Sequence, residues 1–237
     1  MKILAVDSSG LVASIAVAED DNLLAEYTMN YKKTHSQTLM PMLQEVKNMI
    51  ELDLNSIDAI AIAAGPGSFT GLRISSATVK GLGLALDKPV VEVPTLEGLA
   101  FNLCGTSHLV CPLMDARRNQ VYTGIYRFVS ADNQWQMQTV QEQCAVDVTE
   151  ILQICNDLGE PVIFLGDGVP VYADKIAESC QVPYTFAPSN MNRQRAASVA
   201  ALGMLYAKQG KFVSAAEHAP EYLRKSQAER EREEANG

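Results

Sequence analysis

The chain has 237 residues and a mass of 25.7 kDa, which is room for one large domain or two small ones. Hydrophobic residues make up 47% and charged residues 20%, so a core can form and a disordered chain is excluded. With 19 Lys and Arg against 28 Asp and Glu, net charge is −9; aromatics are 6% with one tryptophan, so unaided binding to nucleic acid or an anionic membrane is disfavoured.

The apolar start Met1-Lys2-Ile3-Leu4-Ala5-Val6 meets Asp7 too early for a signal peptide. The longest stretch without Asp, Glu, Lys or Arg, Gly98 to Met114, holds Gly105, Thr106, Ser107, His108 and Pro112, so it does not read as a membrane helix. Cys104, Cys111, Cys144, Cys155 and Cys180 are odd in number, scattered and without a CxxC pair. Reduced thiols, a cytoplasmic location and no metal site are the expectation.

In chain order, residues 2–7, 11–18 and 22–29 read as strands, with Ser8-Ser9-Gly10 as a tight turn. Residues 35–51 change to helical period, placing Leu39, Leu43, Val46, Met49 and Ile50 on one face; Pro41 predicts a late start or a kink. A buried strand over 57–63, a glycine-rich turn, a helix over 70–86, a strand over 89–93 and a helix over 95–103 follow. This is an α/β layer with a mixed sheet. The second half begins alike: a strand over 109–114 ends at Asp115, then a polar turn, then a strand over 120–128. The strand–Asp–turn–strand plan recurs after about 108 positions and suggests an internal duplication. Helices near 147–158, 171–179 and 194–209 and a strand over 161–165 complete the pattern, with Gly210 as the last helix stop. The boundaries expected are 1–104, 105–218 and a charged tail, 219–237, where Lys225/Glu229 and Arg230/Glu234 are spaced for a solvated helix or a frayed arm.

Gly65-Pro66-Gly67-Ser68-Phe69-Thr70-Gly71-Leu72-Arg73 is the most informative segment. A glycine-rich turn between a strand and a helix exposes amides suited to an anion, although no Lys-Ser/Thr pair makes it a Walker loop. The plain alternative is a turn capped by Ser68 or Thr70. In the helix after it, Ala77, Gly81 and Ala85 recur every four residues beside Gly71, Ser75 and Thr78, a small-residue surface for the chain's own sheet or for another subunit. Met40, Met42 and Met49 give the neighbouring helix an adaptable apolar surface. His35, His108 and His218 lie in no nucleophile or zinc motif. Asp7 and Asp115 each end a first strand, as metal-binding carboxylates of ribonuclease H-type nucleases do, but each half supplies only one.

Together, Ile3-Leu4-Ala5-Val6-Asp7-Ser8-Ser9, His35-Ser36-Gln37 with Leu39 and Pro41, the Gly65–Arg73 block, Met114-Asp115-Ala116-Arg117 with Val121-Tyr122, and Pro220-Glu221-Tyr222-Leu223-Arg224 resemble the TsaB (YeaZ) family over essentially the whole chain. The resemblance implies an actin-like ATPase (ASKHA) fold of two ribonuclease H-like subdomains. It implies a non-catalytic subunit required for threonylcarbamoylation of adenosine 37 (t6A) in tRNAs reading ANN codons. Its implied partners are the transferase TsaD, bound through the first-domain helices, the ATPase TsaE, and tRNA only within the complex. A homodimer through the same face is implied when TsaD is absent. The candidate contact or supporting residues are His35, Leu39, Met42, Leu43, Val46, Phe69, Thr70, Leu72, Arg73, Ile74, Ala77 and Gly81.

TsaD-like proteins hold a metal with a histidine pair in the first helix; here His35 is present but Leu39 stands four residues on. Ser8-Ser9 and Ala116-Arg117-Arg118 replace the glycines that let phosphate approach the strand-end aspartates in kinase relatives. Gly166-Asp167-Gly168 resembles the superfamily's adenosine-contacting turn. Neither catalysis, cofactor nor metal is therefore expected of this chain alone. The alternative readings are a metal- or ATP-dependent hydrolase of the same fold, and direct tRNA binding through Arg117, Arg118, Arg193 and Arg195.

Overall fold

The computed structural model describes residues 1–31, 33–131 and 134–224. Two five-stranded sheets share one plan. The first half contributes β1 (Lys2–Asp7), β2 (Ala13–Glu19), β3 (Asn22–Met29), α1 (His35–Met49), β4 (Ala59–Gly65), α2 (Phe69–Leu86), β5 (Val90–Pro94) and α3 (Thr95–Ala100). The second contributes β6 (Leu109–Asp115), β7 (Gln120–Ala131), β8 (Gln134–Asp147), α4 (Val148–Leu158), β9 (Val162–Leu165), α5 (Val169–Ser179), β10 (Tyr184–Phe186) and α6 (Ala196–Lys208). The sheet orders are β3-β2-β1-β4-β5 and β8-β7-β6-β9-β10, so each element of the first half has its counterpart in the second. In each, the first three strands pair antiparallel and the last two join parallel. The duplication expected from Asp7 and Asp115 is therefore complete.

Strand alternation decides what each face can accept. Leu4, Val6, Ile15, Val17, Ile60 and Ile62 pack against α1 and α2 on one face of the first sheet. Ile3, Ala5, Ala16, Ala59, Ala61 and Ala63 line the other, mostly with a single methyl, and α6 lies on them. At Gly203 of α6 an added Cβ would come within 2.8 Å of the Ala61 Cβ. In the second sheet, α4 and α5 cover Leu109, Cys111 and Leu113. Val110, Met114, Tyr126 and Phe128 on its other face receive Leu96, Leu99 and Ala100 of α3.

The lobes thus exchange helices. The sequence boundary near residue 104 separates the sheets, but α3 from the first half covers the second sheet and α6 from the second half covers the first. Segment 105–218 is not a separately packed unit. Two elements escape the sequence pattern, β8 and the three-residue β10. Helix α1 begins at His35 and keeps Pro41 inside, rather than starting late. Met49, its last residue, is 81% exposed instead of on the inner face, where Met42 stands. Ser68 is the N-cap of α2, accepting from the Gly71 amide at 3.3 Å. Charged pairs beyond residue 224 lie outside the described residues. Among the described residues, no helix is long and apolar enough to cross a membrane.

Replacing Gly203 by Val should force α6 off the alanine face and cost about 1–3 kcal/mol. Because the lobes share helices, urea unfolding of this variant and of the parent chain should each show one transition rather than two.

Candidate partner face and strand-end turns

The expected interface residues divide by burial. Leu39, Met42, Leu43, Val46 and Leu72 are all at most 5% exposed and belong to the chain's own core. Of the two readings given for them, contact or support, burial leaves only support: they hold the α1–α2 layer from within and are not themselves at its surface. The periodicity identified the apolar face of each helix, but that face is turned to the sheet. Ile74 is half-buried against the same core. His35 is half-buried, and its Nε2 donates to the Gly10 carbonyl at 2.9 Å, tying α1 to the β1–β2 turn.

The opposite face of α2 is open. Thr70, Arg73, Ala77, Gly81, Leu84 and Ala85 are exposed, at helical spacing, and Leu84 retains 66% of its surface. An added Cβ at Gly81 would meet nothing within 4 Å, so no contact within the chain requires glycine there. The small-residue row of α2 therefore divides: Gly71 and Ser75 pack inward, while Ala77, Gly81 and Ala85 face out. Met40 and Met49 of α1 are also exposed, but their nine-residue spacing sets them on opposite sides of that helix. Leu84 was missed by sequence reasoning because it falls outside the four-residue repeat of small side chains.

The turns that follow the two strand-end aspartates are each held by hydrogen bonds to the aspartate. Asp7 is 2% exposed, and its Oδ1 accepts from the Ser9 amide at 2.8 Å and the Ser9 hydroxyl at 2.7 Å. Burial pushes its pKa from the ordinary 3.8 up to about 6, against the opposing effect of the Ser9 hydrogen bonds and the nearby His35. The glycine-rich turn closes directly on Ser8-Ser9. The Ser68 amide donates to the Ser9 carbonyl at 2.7 Å, and the Ser8 hydroxyl to the Gly71 carbonyl at 2.8 Å. A side chain at Gly67 or Gly71 would overlap the Ser9 or Ser8 carbonyl. These glycines serve a backbone-on-backbone contact.

In the second lobe Asp115 is held in the same manner by its own chain. It accepts from the Arg117 amide at 2.9 Å and the Tyr172 hydroxyl at 3.3 Å, and pairs with the Arg117 guanidinium at 3.3 Å. Its own amide donates to Asp167 at 3.1 Å. Arg117, Arg118 and Asn119 all have left-handed backbone, with φ of 67°, 56° and 60°. Arg117 and Arg118 are exposed, whereas the other two arginines of the expected RNA surface are structural. Arg193 donates to the Gly166 carbonyl at 2.8 Å and Arg195 is paired with Glu26.

This fold implies a nucleotide between the lobes. The residues present do not fit one: each strand-end carboxylate is engaged by the turn after it, and the Ser8-Ser9 carbonyls fill the glycine-rich turn. Among the described residues no group of three or more His, Cys, Asp or Glu side chains is arranged to hold a metal ion.

Two ribonuclease H-like halves, each headed by a strand-end aspartate and joined by exchanged helices, define an actin-like (ASKHA) protein. Residues 22–232 match the family described as TsaD, tRNA N6-adenosine threonylcarbamoyltransferase. The tRNA threonylcarbamoyladenosine biosynthesis protein TsaB of Bacillus subtilis is 33% identical over 97% of this chain and 96% of its own length. TsaB of Escherichia coli is 32% identical over 54% of this chain and 55% of its own. The structure of YeaZ from Pseudomonas aeruginosa superposes with a TM-score of 0.78 at 26% identity, covering 94% of this chain and 100% of that one. The chain belongs to the TsaB (YeaZ) family of tRNA threonylcarbamoyladenosine biosynthesis.

The raised pKa of Asp7 has a defined sign. The folded protein holds this proton more tightly than the unfolded chain, so the group carries no penalty below its unfolded pKa of 3.8. Stability falls as pH rises from there through about 6. Asp7→Asn keeps an acceptor for Ser9 and should stabilise the protein by about 1–3 kcal/mol near pH 8, with close to no gain near pH 4, read by urea unfolding at both.

Proposed function

We propose that this chain is a non-catalytic activating subunit for threonylcarbamoylation of adenosine 37 in tRNAs reading ANN codons. It binds the transferase TsaD through the exposed α1–α2 face, acts in the cytoplasm with the ATPase TsaE, and meets tRNA within that complex. In the absence of TsaD the same face pairs two copies. The observation that carries this reading is the outward row Ala77-Gly81-Leu84, with open space at Gly81. Small side chains on one helix let a partner backbone approach closely. Phe69, Thr70 and Arg73 extend the face to the start of α2, while the buried residues named above hold its shape.

The hydrolase alternative requires carboxylates free to meet a metal or a phosphate. Asp7 and Asp115 are instead bound by Ser9 and Arg117, which supports the scaffold reading. A modification assay with TsaC, TsaD, TsaE, ATP, threonine, bicarbonate and tRNA decides between them. Modified adenosine should form only when this chain is added, and the isolated chain should not hydrolyse ATP.

Gly81→Arg separates folding from association. Arginine is a better helix former than glycine by about 0.8 kcal/mol, and the site is open, so thermal stability should be kept or rise. Co-purification with TsaD and formation of modified adenosine should both be lost. Ala77→Glu should act alike, since a carboxylate stranded in the contact costs several kcal/mol, roughly. A folded Gly81→Arg chain that still binds TsaD would overturn this placement.

A further inference from the structure

After α6 the chain runs along the edge of the first sheet. Val213 forms an antiparallel bridge with Val90 at the outer edge of β5, with both backbone hydrogen bonds at 2.9 Å. His218, 1% exposed, donates from Nδ1 to Glu92 of the same strand at 2.6 Å. The segment then reaches the end of β4, where the Glu221 amide donates to the Ala64 carbonyl at 2.7 Å. Gly65 makes room for it: a Cβ there would overlap the Glu221 carbonyl. The Tyr222 ring stacks on Phe69 with centroids 4.1 Å apart and planes within 8°, and Arg73 lies over the same Phe69 ring at 5.3 Å. From here the segment touches the other lobe twice. Gln143 of β8 donates to the Glu221 carboxylate at 2.7 Å, and Arg224 Nη1 donates to the Ala116 carbonyl at 2.6 Å.

We infer that Glu221–Arg224 is an interlobe clasp: it ties the glycine-rich turn of the first lobe to the turn after Asp115 in the second, and so fixes the lobes against one another. The two turns it joins belong to different lobes, so motion of one lobe against the other would have to part them. In this chain a covalent part of the protein makes the tie. Tyr222 is a positioning residue. Its ring holds Phe69, and through Phe69 the Arg73 guanidinium, at the start of α2. The phenol oxygen has no part in the stack, so Phe should replace Tyr222 without loss, whereas Ala should release it.

Amide hydrogen exchange on the full chain tests this without any partner, so its outcome is independent of the function proposed above. In Tyr222→Ala and Arg224→Ala, exchange should accelerate about tenfold both in the peptide spanning Ala64–Phe69 and in that spanning Asp115–Gln120. The strands β1 and β6 should remain as protected as in the parent, which excludes general destabilisation. Tyr222→Phe should exchange like the parent in both peptides. If Tyr222→Ala loosens only residues 219–224 and leaves the Asp115–Gln120 peptide unchanged, or if Tyr222→Phe behaves like Tyr222→Ala, there is no clasp.

Discussion

Alternation of alanine with larger aliphatic residues along β1, β2 and β4 gives the first sheet two unlike faces, and the narrow one admits α6 at a distance that larger side chains would forbid. That approach fixes the rest. It draws α6 and the segment after it across to the first lobe, leaves α3 to fill the corresponding place on the second sheet, and brings that segment along the edge of β5. It also determines which way α1 and α2 face. With α6 on one side of the sheet, their apolar stripes are used up on the other side, and their remaining surface is free.

The open face of α2 and the tightly packed turn before it are two results of one arrangement. The turn Gly65–Gly71 packs backbone to backbone on Ser8-Ser9, and the Ser68 amide is used by the Ser9 carbonyl. The same turn starts α2 and sets the direction of its outward row. Close packing of this turn thus goes with a well-defined helix surface.

Much of the fold was legible in the sequence because its signals are local. Asp7 and Asp115 end matching strands, and the Ile-Ala alternation and the 3.6 period of α1 identify element types. What was not legible depends on neighbours. The strand Gln134–Asp147 carries glutamines along much of its length and is mostly exposed or half-buried, so it shows no apolar face to find. The periodicity of α1 and α2 gave their stripes but not which stripe meets the sheet; Leu39 and Leu72 therefore read as candidates for contact and are core. Arg193 and Arg195 looked like a basic surface until Gly166 and Glu26 supplied their acceptors. The role of Tyr222 depends on Phe69, which lies far away in sequence, and on a missing Cβ at Gly65.

The exchange of α6 has a consequence for biosynthesis. The first five strands and two covering helices are complete once residue 94 has been made, yet their alanine face has no cover until residues 196–208 leave the ribosome. For roughly half the time of translation the nascent chain carries an open apolar sheet surface, and the contacts that close it join residues nearly two hundred positions apart. Such late, non-local closure slows folding and exposes the intermediate to aggregation. The small size of the alanine methyls limits the stickiness of that waiting surface, so the residues that let the helix in at the end also keep the unfinished protein tractable until then.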